Sequence, residues 1–486
     1  MNLLPPSQAR PVRRPVTLIG LASVALLSAC ASLAPAGGEL PSTPLPTAWS
    51  AAPVSAATSP TGLAAWWQRF NDPTLTTLVT QALQANTSVK SAQAALLQAR
   101  AQRDVQQAGL GPSVGVSGSA QRSKSGDNDA SNRFQAGFDA SWEPDIFGGN
   151  RSTLNASEAD ARASETSLAD VQVSLAAEVA ATYIELRGLQ TRLAIARSNL
   201  AAQSETLQIT RWRTQAGLAS SLDLEQAIAS SEQTAAQIPA LQTSIAQALS
   251  GVAVLTGQAP GTLPAALQGA LNTAAPIPQG AGDLALAFPA ETLRQRPDVR
   301  TAEHRISAAL SRVAAADAAR YPSFRLSGSL GLSALTLGTL TNGASVASSL
   351  LASVSAPLFD GGAARAQVRA QEAALEQARV AYQGSVISAV KDVEDALVAL
   401  QGDRERLVRL QAASAAAANA ELLARQRYES GLVDFRTVLD TQRTLLSTQD
   451  SVASTQATLS ADHVRLYKAL GGGWTPDAPP VEATPR

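Results

Sequence analysis

Residues 293–329 read LRQRPDVRTAEHRISAALSRVAAADAARYPSFRLSGS, and residues 83–119 read LQANTSVKSAQAALLQARAQRDVQQAGLGPSVGVSGS. A constant offset of 210 lays one on the other: Val89 meets Val299, Pro112 meets Pro322, and Gly118-Ser119 meets Gly328-Ser329. Further on the offset becomes 214, so that Arg151 meets Arg365, Leu186 meets Leu400, Gly188 meets Gly402 and Gly217-Leu218 meets Gly431-Leu432. PDIFGG (144–149) answers PLFDGG (357–362) with a one-residue slip. The four-residue change falls between two strand-like runs, where a hairpin loop absorbs it. The chain is two copies of one unit, roughly 75–257 and 285–471, and repeats of this kind are sought before any local structure.

Within each copy the order is helix, two strands, long helix, helix. From Arg151 to about Arg213 there is no proline and only one glycine, Gly188. Leu168, Val171, Leu175, Val179, Leu186, Leu189, Leu193, Ala196 and Leu200 step by threes, fours and sevens, the spacing of a coiled coil. Val386, Val390, Val393, Leu397, Leu400, Leu407 and Leu410 do the same in the second copy. A helix of about 60 residues is a rod of roughly 90 Å. A soluble coiled-coil dimer accounts for the heptads but not for what lies between them.

Between them lie strands. FQAGFDASW (134–142) sets Phe134, Ala136, Phe138, Ala140 and Trp142 on one face and Gln135, Gly137, Asp139 and Ser141 on the other. SFRLSGSLG (323–331) alternates similarly, while SVGVSGSA (113–120) and LLASVSAP (350–357) do so more weakly. Apolar-out, polar-in segments of about ten residues mark a membrane barrel with a wet lumen. A half-buried antiparallel sheet shows the same alternation. Counting separates the two, because four strands are too few for a closed membrane barrel, which needs at least about eight, and open edges are not tolerated in lipid. Several chains must therefore pool their strands, which predicts an oligomeric tube, β-barrel in the membrane and α-helical beyond it.

The rest of the sequence narrows the functions available. One cysteine, Cys30, excludes an internal disulfide, and with only His304 and His463 as histidines, far apart in the chain, no zinc cluster is expected. Charged residues make up 16% of the chain and the formal net charge is −1, so no nucleic-acid partner is expected. Arg10, Arg13 and Arg14 precede the uncharged run VTLIGLASVALL (16–27), the layout of a secretory leader. LSAC (27–30) then resembles the lipobox of bacterial lipoproteins, which implies lipidation of Cys30 and cleavage before it; Ser28-Ala29 would also serve an ordinary signal peptidase. Ala31 and Ser32 follow in place of the aspartate that retains many such lipoproteins in the inner membrane, so the resemblance points to the outer membrane. No run of about 20 apolar residues occurs after the leader, and no transmembrane helix is expected.

No GxxxxGK[ST] loop and no nucleophile triad motif occur, so neither an enzyme nor a cofactor is expected. The informative polar stretches are RTQAGLASSLD (213–223) and RYESGLVDFRTVLDTQR (427–443), where the paired helices of each copy turn. Gly217 and Gly431 stand where a chain leaving a helix often needs a left-handed residue. Arg436, Asp440 and Arg443 are spaced i, i+4 and i+3 on one helix, as in a solvated surface ladder.

RPDVRTAEHRISAALSRVAAADAARYPSFRLSGSLG (296–331) resembles the signature of TolC-like outer-membrane efflux lipoproteins, the outer components of tripartite drug pumps. ATYIELRGLQTRLAIARSNLAAQSETLQITRWRTQAG (181–217), PLFDGG and WWQRFNDPTLTTLV (66–79) are similar to the same family, and the resemblance covers about 63–473. It implies a mainly α protein with a membrane β-barrel: an internally duplicated TolC-like fold, assembled as a trimer with a 12-stranded β-barrel continued by a 12-helix α-barrel. The expected organisation is a lipoprotein signal peptide (1–29), a lipidated tether (30–62), repeat 1 (63–257), an equatorial linker (258–284), repeat 2 (285–473) and a disordered tail (474–486). Implied partners are two further copies of the chain, a periplasmic adaptor (membrane fusion) protein, an inner-membrane transporter and outer-membrane lipid. The resemblance also implies a periplasmic gate at Tyr428, Asp434, Asp440 and Arg443, with Gly217, Leu218, Gly431 and Leu432 forming the tips that an adaptor meets. Arg436 departs from the family pattern, which is often apolar there. The exit channel of a type I protein-secretion system and a non-conducting coiled-coil lipoprotein are the alternatives.

Overall fold

The computed structural model describes residues 41, 46, 49, 63–280, 293 and 295–475. The leader, Cys30, nearly all of the tether, residues 281–292 and the last eleven residues of the tail lie outside them. Each copy has the expected order of helix, two strands, long helix and helix, with a further helix ahead of it in the first copy. The first runs α1 (Pro73–Ala85), α2 (Thr87–Ala108), β1 (Ser113–Ser123), β2 (Ser131–Trp142), α3 (Gly149–Gln215) and α4 (Ser221–Leu255). After the short α5 (Ala265–Asn272), the second runs α6 (Pro297–Ala318), β3 (Ser323–Ala334), β4 (Val346–Ser355), α7 (Ala363–Glu429) and α8 (Phe435–Ala469). The long helices α3 and α7 have 67 residues each, and α4 and α8 have 35 each, so the duplication holds to the residue. At 1.5 Å per residue the longer pair spans about 100 Å.

The chain forms two compact units. One comprises residues 102–159 and 307–377 and holds the sheet. Its strands lie in the order β1-β2-β3-β4, every neighbour antiparallel. Ser113 opposes Ser141 in the first hairpin and Ser323 opposes Ser355 in the second, the same pairing carried forward by 210 and 214. Val114, Val116, Phe138, Leu326, Leu330, Leu350 and Val354 share one face of this sheet, and all are exposed. On the other face Ser117 Oγ donates to Asp139 Oδ2 (2.5 Å), and Ser329 and Ser349 share a hydrogen bond (2.8 Å). A half-buried soluble sheet would cover its apolar face with its own chain. This one leaves that face bare, as a lipid-facing sheet must.

The second unit comprises the described parts of 40–101, 160–306 and 378–486 and contains the main core. Trp66 is fully buried, stacked on Tyr467 at 5.3 Å and edge-on to Trp67 and Phe70. Asp72 caps α1 by accepting from Leu75 N, and its second oxygen accepts from Tyr183 Oη (2.8 Å). Tyr183 Oη in turn accepts from buried Arg187. The Arg187 guanidinium donates to the carbonyls of Ala270 and Thr273, capping α5 with a cation where the helix dipole is negative. Arg296 of the RPDV signature works similarly: it donates to the Ala469 carbonyl and pairs with Asp298 and Asp392, tying α6 to the end of α8 and to α7.

Helices α3 and α8 pack closely at Gly188, where an added Cβ would lie 2.8 Å from that of Ala457. Beyond it a polar seam repeats every seven residues. Arg192 pairs with Asp450 (2.7 Å), Asn199 Nδ2 donates to Gln449 (2.8 Å), and Thr206 accepts from Gln442 (3.0 Å). Polar groups at single heptad positions fix register between helices.

One feature departs from the sequence expectation. Helix α4 is long and apolar enough to cross a membrane by length and composition, with a mean hydropathy of 1.4 over 18 residues. Its apolarity comes from Ala, Ile, Leu and Val interspersed with uncharged Gln and Ser, a mixture that does not stand out as an apolar run. Its counterpart α8 has the same length but carries Arg436, Asp440, Arg443, Asp450 and Asp462, so the length belongs to the repeat and not to a span.

Candidate functional site: the helix tips

The turn after α3 is built by its own backbone. Gly217 has φ +71°, Leu218 N donates to the Arg213 carbonyl (2.7 Å) and Gly217 N to that of Thr214 (3.0 Å). This left-handed closure satisfies carbonyls that the helix end would otherwise leave unpaired. Ser220 then opens α4 with a capping box to Asp223. The turn after α7 repeats the geometry: Gly431 has φ +72°, Leu432 N donates to the Arg427 carbonyl (2.8 Å) and Gly431 N to that of Tyr428 (3.0 Å). Asp434 caps α8, its Oδ1 accepting from Thr437 N (3.0 Å) and Oγ1 (2.6 Å); these Thr437 hydrogen bonds hold its carboxyl below the usual range. Leu218 and Leu432 stand exposed, one at each tip.

The four residues expected at the gate divide into two kinds. Tyr428 is buried in a small cluster with Ala227, Ala424, Phe435, Val438 and Leu439, its ring 5.4 Å from that of Phe435. Asp434 is the cap just described. Asp440 and Arg443 are exposed on α8, Arg443 one turn beyond buried Leu439. Within one chain Asp440 lies 3.8 Å from the Arg436 guanidinium, both side chains exposed. The sequence reading missed Arg213. Its guanidinium lies 4.5 Å from the centroid of the Tyr428 ring and donates to the carbonyls of Tyr428 and Glu429 (3.2 Å each). A cation over an aromatic face that also meets the carbonyl end of a helix gains from both. Arg213 therefore latches the end of α3 to the end of α7. The signal was present: Arg192, Asn199, Thr206 and Arg213 follow one another at seven-residue steps.

Away from the tips, in the same unit, one carboxylate is unusual. The side chain of Asp462 on α8 is fully buried. Its Oδ1 accepts from Arg465 (2.5 Å), Oδ2 is buried without a hydrogen-bond partner, and the Asp403 carboxyl of α7 acts on the group from nearby. Burial, opposed by Arg465 and reinforced by Asp403, raises its pKa to about 6. Among the described residues no group of three His, Cys, Asp or Glu side chains is placed to hold a metal ion.

Two copies of a hairpin with a bare apolar face, each joined to a pair of long helices that end in a glycine turn, mark a membrane-channel subunit. The model of the outer membrane efflux protein family matches residues 78–258 and 288–472, and the chain belongs to that family. It is 31% identical to outer membrane protein OprJ of Pseudomonas aeruginosa over 480 residues, 95% of this chain and 97% of that one. It is 33% identical to the pyoverdine export outer membrane protein OpmQ of Pseudomonas putida, covering 90% and 96%. Among solved structures it resembles the outer-membrane channel OprN (TM-score 0.82, 34% identity, 90% of this chain and all of that one). It also resembles the open state of the MtrE channel of Neisseria gonorrhoeae (TM-score 0.81, 27% identity, 91% and 98%). The chain is an outer-membrane efflux channel of TolC-like fold.

Proposed function

We propose that three copies of this chain pool their strands into a 12-stranded barrel and their four long helices each into a 12-helix tunnel. The duct is passive: solutes handed over by an inner-membrane transporter and a periplasmic adaptor pass through it unchanged, without catalysis or cofactor. The observation that carries this is the four-stranded sheet, which exposes its apolar face and leaves β1 and β4 as open edges. The bare face suits lipid, but open edges are not tolerated there unless further strands close the ring. Leu218 and Leu432 at the tips supply the apolar knobs for the adaptor, with Gly217 and Gly431 setting their backbone. Relatives are named for pyoverdine, solvent and antibiotic export, which fits a wide polar lumen handling small molecules without a dedicated pocket. Asp440 and Arg443 form the closing ring, held in place by Tyr428 and by the Asp434 cap. The test is whether the purified particle contains three chains and conducts.

Domain organisation follows the repeats, with repeat 1 at 63–257, repeat 2 at 285–473 and the linker 258–284 between them. Cys30 is the first mature residue and carries the lipid. Cys30→Ser then blocks thioether formation, since a hydroxyl is far less nucleophilic than a thiol, and leaves an uncleaved precursor. Labelled palmitate on wild type and none on the variant is the expected result; normal maturation of Cys30→Ser with no label on wild type would refute it.

A further inference from the structure

The duplication fixes an interface that a single chain does not contain. An offset of 210 carries β1 onto β3 and one of 214 carries β2 onto β4, as the hairpin pairings verify. The β2–β3 pairing joins copy 1 to copy 2, so its equivalent joins copy 2 of one chain to copy 1 of another. Applied to the observed pairs Phe138–Leu330, Asp139–Ser329 and Ala140–Gly328, the two offsets place Ala352 opposite Ala120, Ser353 opposite Ser119 and Val354 opposite Gly118. Because both offsets are even, the construction keeps the apolar faces of β4 and β1 on the same side of the sheet. Ala352 and Val354 oppose Leu326 and Phe324 on the apolar face of β4, while Gly118 and Ala120 oppose Ala136 and Phe134 on the apolar face of β1. A slip of one residue would have turned every side chain to the wrong side.

The segment after each hairpin gives an independent indication. After β2, the Phe147 ring stacks on Tyr321 (5.0 Å) and lies 6.4 Å from Phe324, so Phe147 packs into the α6–β3 corner. After β4, Leu358 and Phe359 answer Ile146 and Phe147 but are 98% and 93% exposed. The corner that corresponds to theirs, between α2 and β1, has Gly111 where the first has Tyr321 and Val114 where it has Phe324. Val114 and Val105 are exposed there as well. A corner lacking its ring and two large apolar side chains lacking a corner are complementary, and burying them removes apolar surface from water.

Resting on the trimeric duct proposed above, we propose that Leu358 and Phe359 of each chain seat in the Gly111 corner of a second copy, with β4 against β1 in the register Ala352–Ala120, Ser353–Ser119 and Val354–Gly118. Directly opposed residues of an antiparallel pair have Cβ atoms about 4.5–5.5 Å apart, close enough to trap as a disulfide under oxidation. The test uses the full chain purified in mild detergent and oxidised with copper-phenanthroline, with single-cysteine variants as controls for Cys30. Ser353→Cys with Ser119→Cys is expected to yield covalent trimer on a non-reducing gel. The offset pair Ser353→Cys with Ser117→Cys is expected to yield at least about tenfold less. Phe359→Asp, which would force a charge into the corner, is expected to cut detergent-resistant trimer severalfold while the helical circular dichroism is kept. A three-chain particle in which the offset pair cross-links as well, or in which neither pair does, overturns the register. A trimer indifferent to Phe359→Asp overturns the corner. A single-chain particle overturns the trimer itself, and is recognised by mass before any cross-linking.

Discussion

Asp440→Ala combined with Arg443→Ala raises the single-channel conductance of the purified channel and admits bulky antibiotics such as vancomycin into cells carrying it. Both side chains are exposed on α8, whose buried Val438 and Leu439 belong to the cluster around Tyr428 and Phe435. If they pair across chains around the threefold axis, each partly exposed ion pair contributes about 1 kcal/mol or less. Three pairs that open together then shift the closed-to-open ratio by up to about a hundredfold, at about 1.4 kcal/mol per decade. Arg436→Ala is the control: it removes the pair with Asp440 inside one chain, worth about 0.2–0.5 kcal/mol at this spacing, and should leave conductance unchanged. Raising salt to 1 M shortens the screening length to about 3 Å and should favour opening of the wild type beyond the rise expected from more carriers. A double variant that conducts like wild type at every salt concentration would show that Asp440 and Arg443 do not close the tip.

The second large effect concerns pH. Asp462→Asn stabilises the folded channel at pH 8 by up to about 3 kcal/mol and has little effect at pH 4. The wild-type carboxyl has a folded pKa near 6, raised by burial from an ordinary value of 3.8, so the native state binds its proton more tightly than the unfolded chain does. That advantage is complete below about 3.8, is lost as the pH rises through about 6, and stays lost above it. The groups facing it are Arg465 on its own helix and, from α7, Asp403, which pairs with Arg406. Asparagine keeps the shape of the protonated acid without the charge. Denaturant midpoints of the detergent-solubilised protein from pH 4 to 8 are the measurement. Parallel wild-type and variant curves would mean that Asp462 ionises freely in the folded protein.

The elements were legible because their signals are local and doubled. A 67-residue helix without proline and strands alternating at period two are each read from neighbours in sequence, and the offsets of 210 and 214 let each copy check the other. The glycine turns were legible for the same reason, since Gly217 and Gly431 are equivalent positions with the same positive φ. What escaped the sequence has its partner far along the chain. Arg213 meets residues 428 and 429, Arg187 meets the end of α5, and Asp462 meets Asp403. The apolar heptads on α3 are legible within one helix, whereas the polar series Arg192, Asn199, Thr206 and Arg213 has its meaning only opposite Asp450, Gln449, Gln442 and Tyr428. Helix α4 was underestimated because its hydropathy is spread evenly with no apolar run to announce it.

If four strands per chain become a membrane channel only by being shared, three-chain mass and conductance must go together. The most direct measurement combines the mass of the purified particle, by light scattering corrected for detergent, with its conductance in planar bilayers. A particle of three chains, about three times 50.0 kDa less the leader, that conducts in discrete steps is the result expected. A conducting single chain, or a three-chain particle that inserts and carries no current, would contradict the shared-barrel duct.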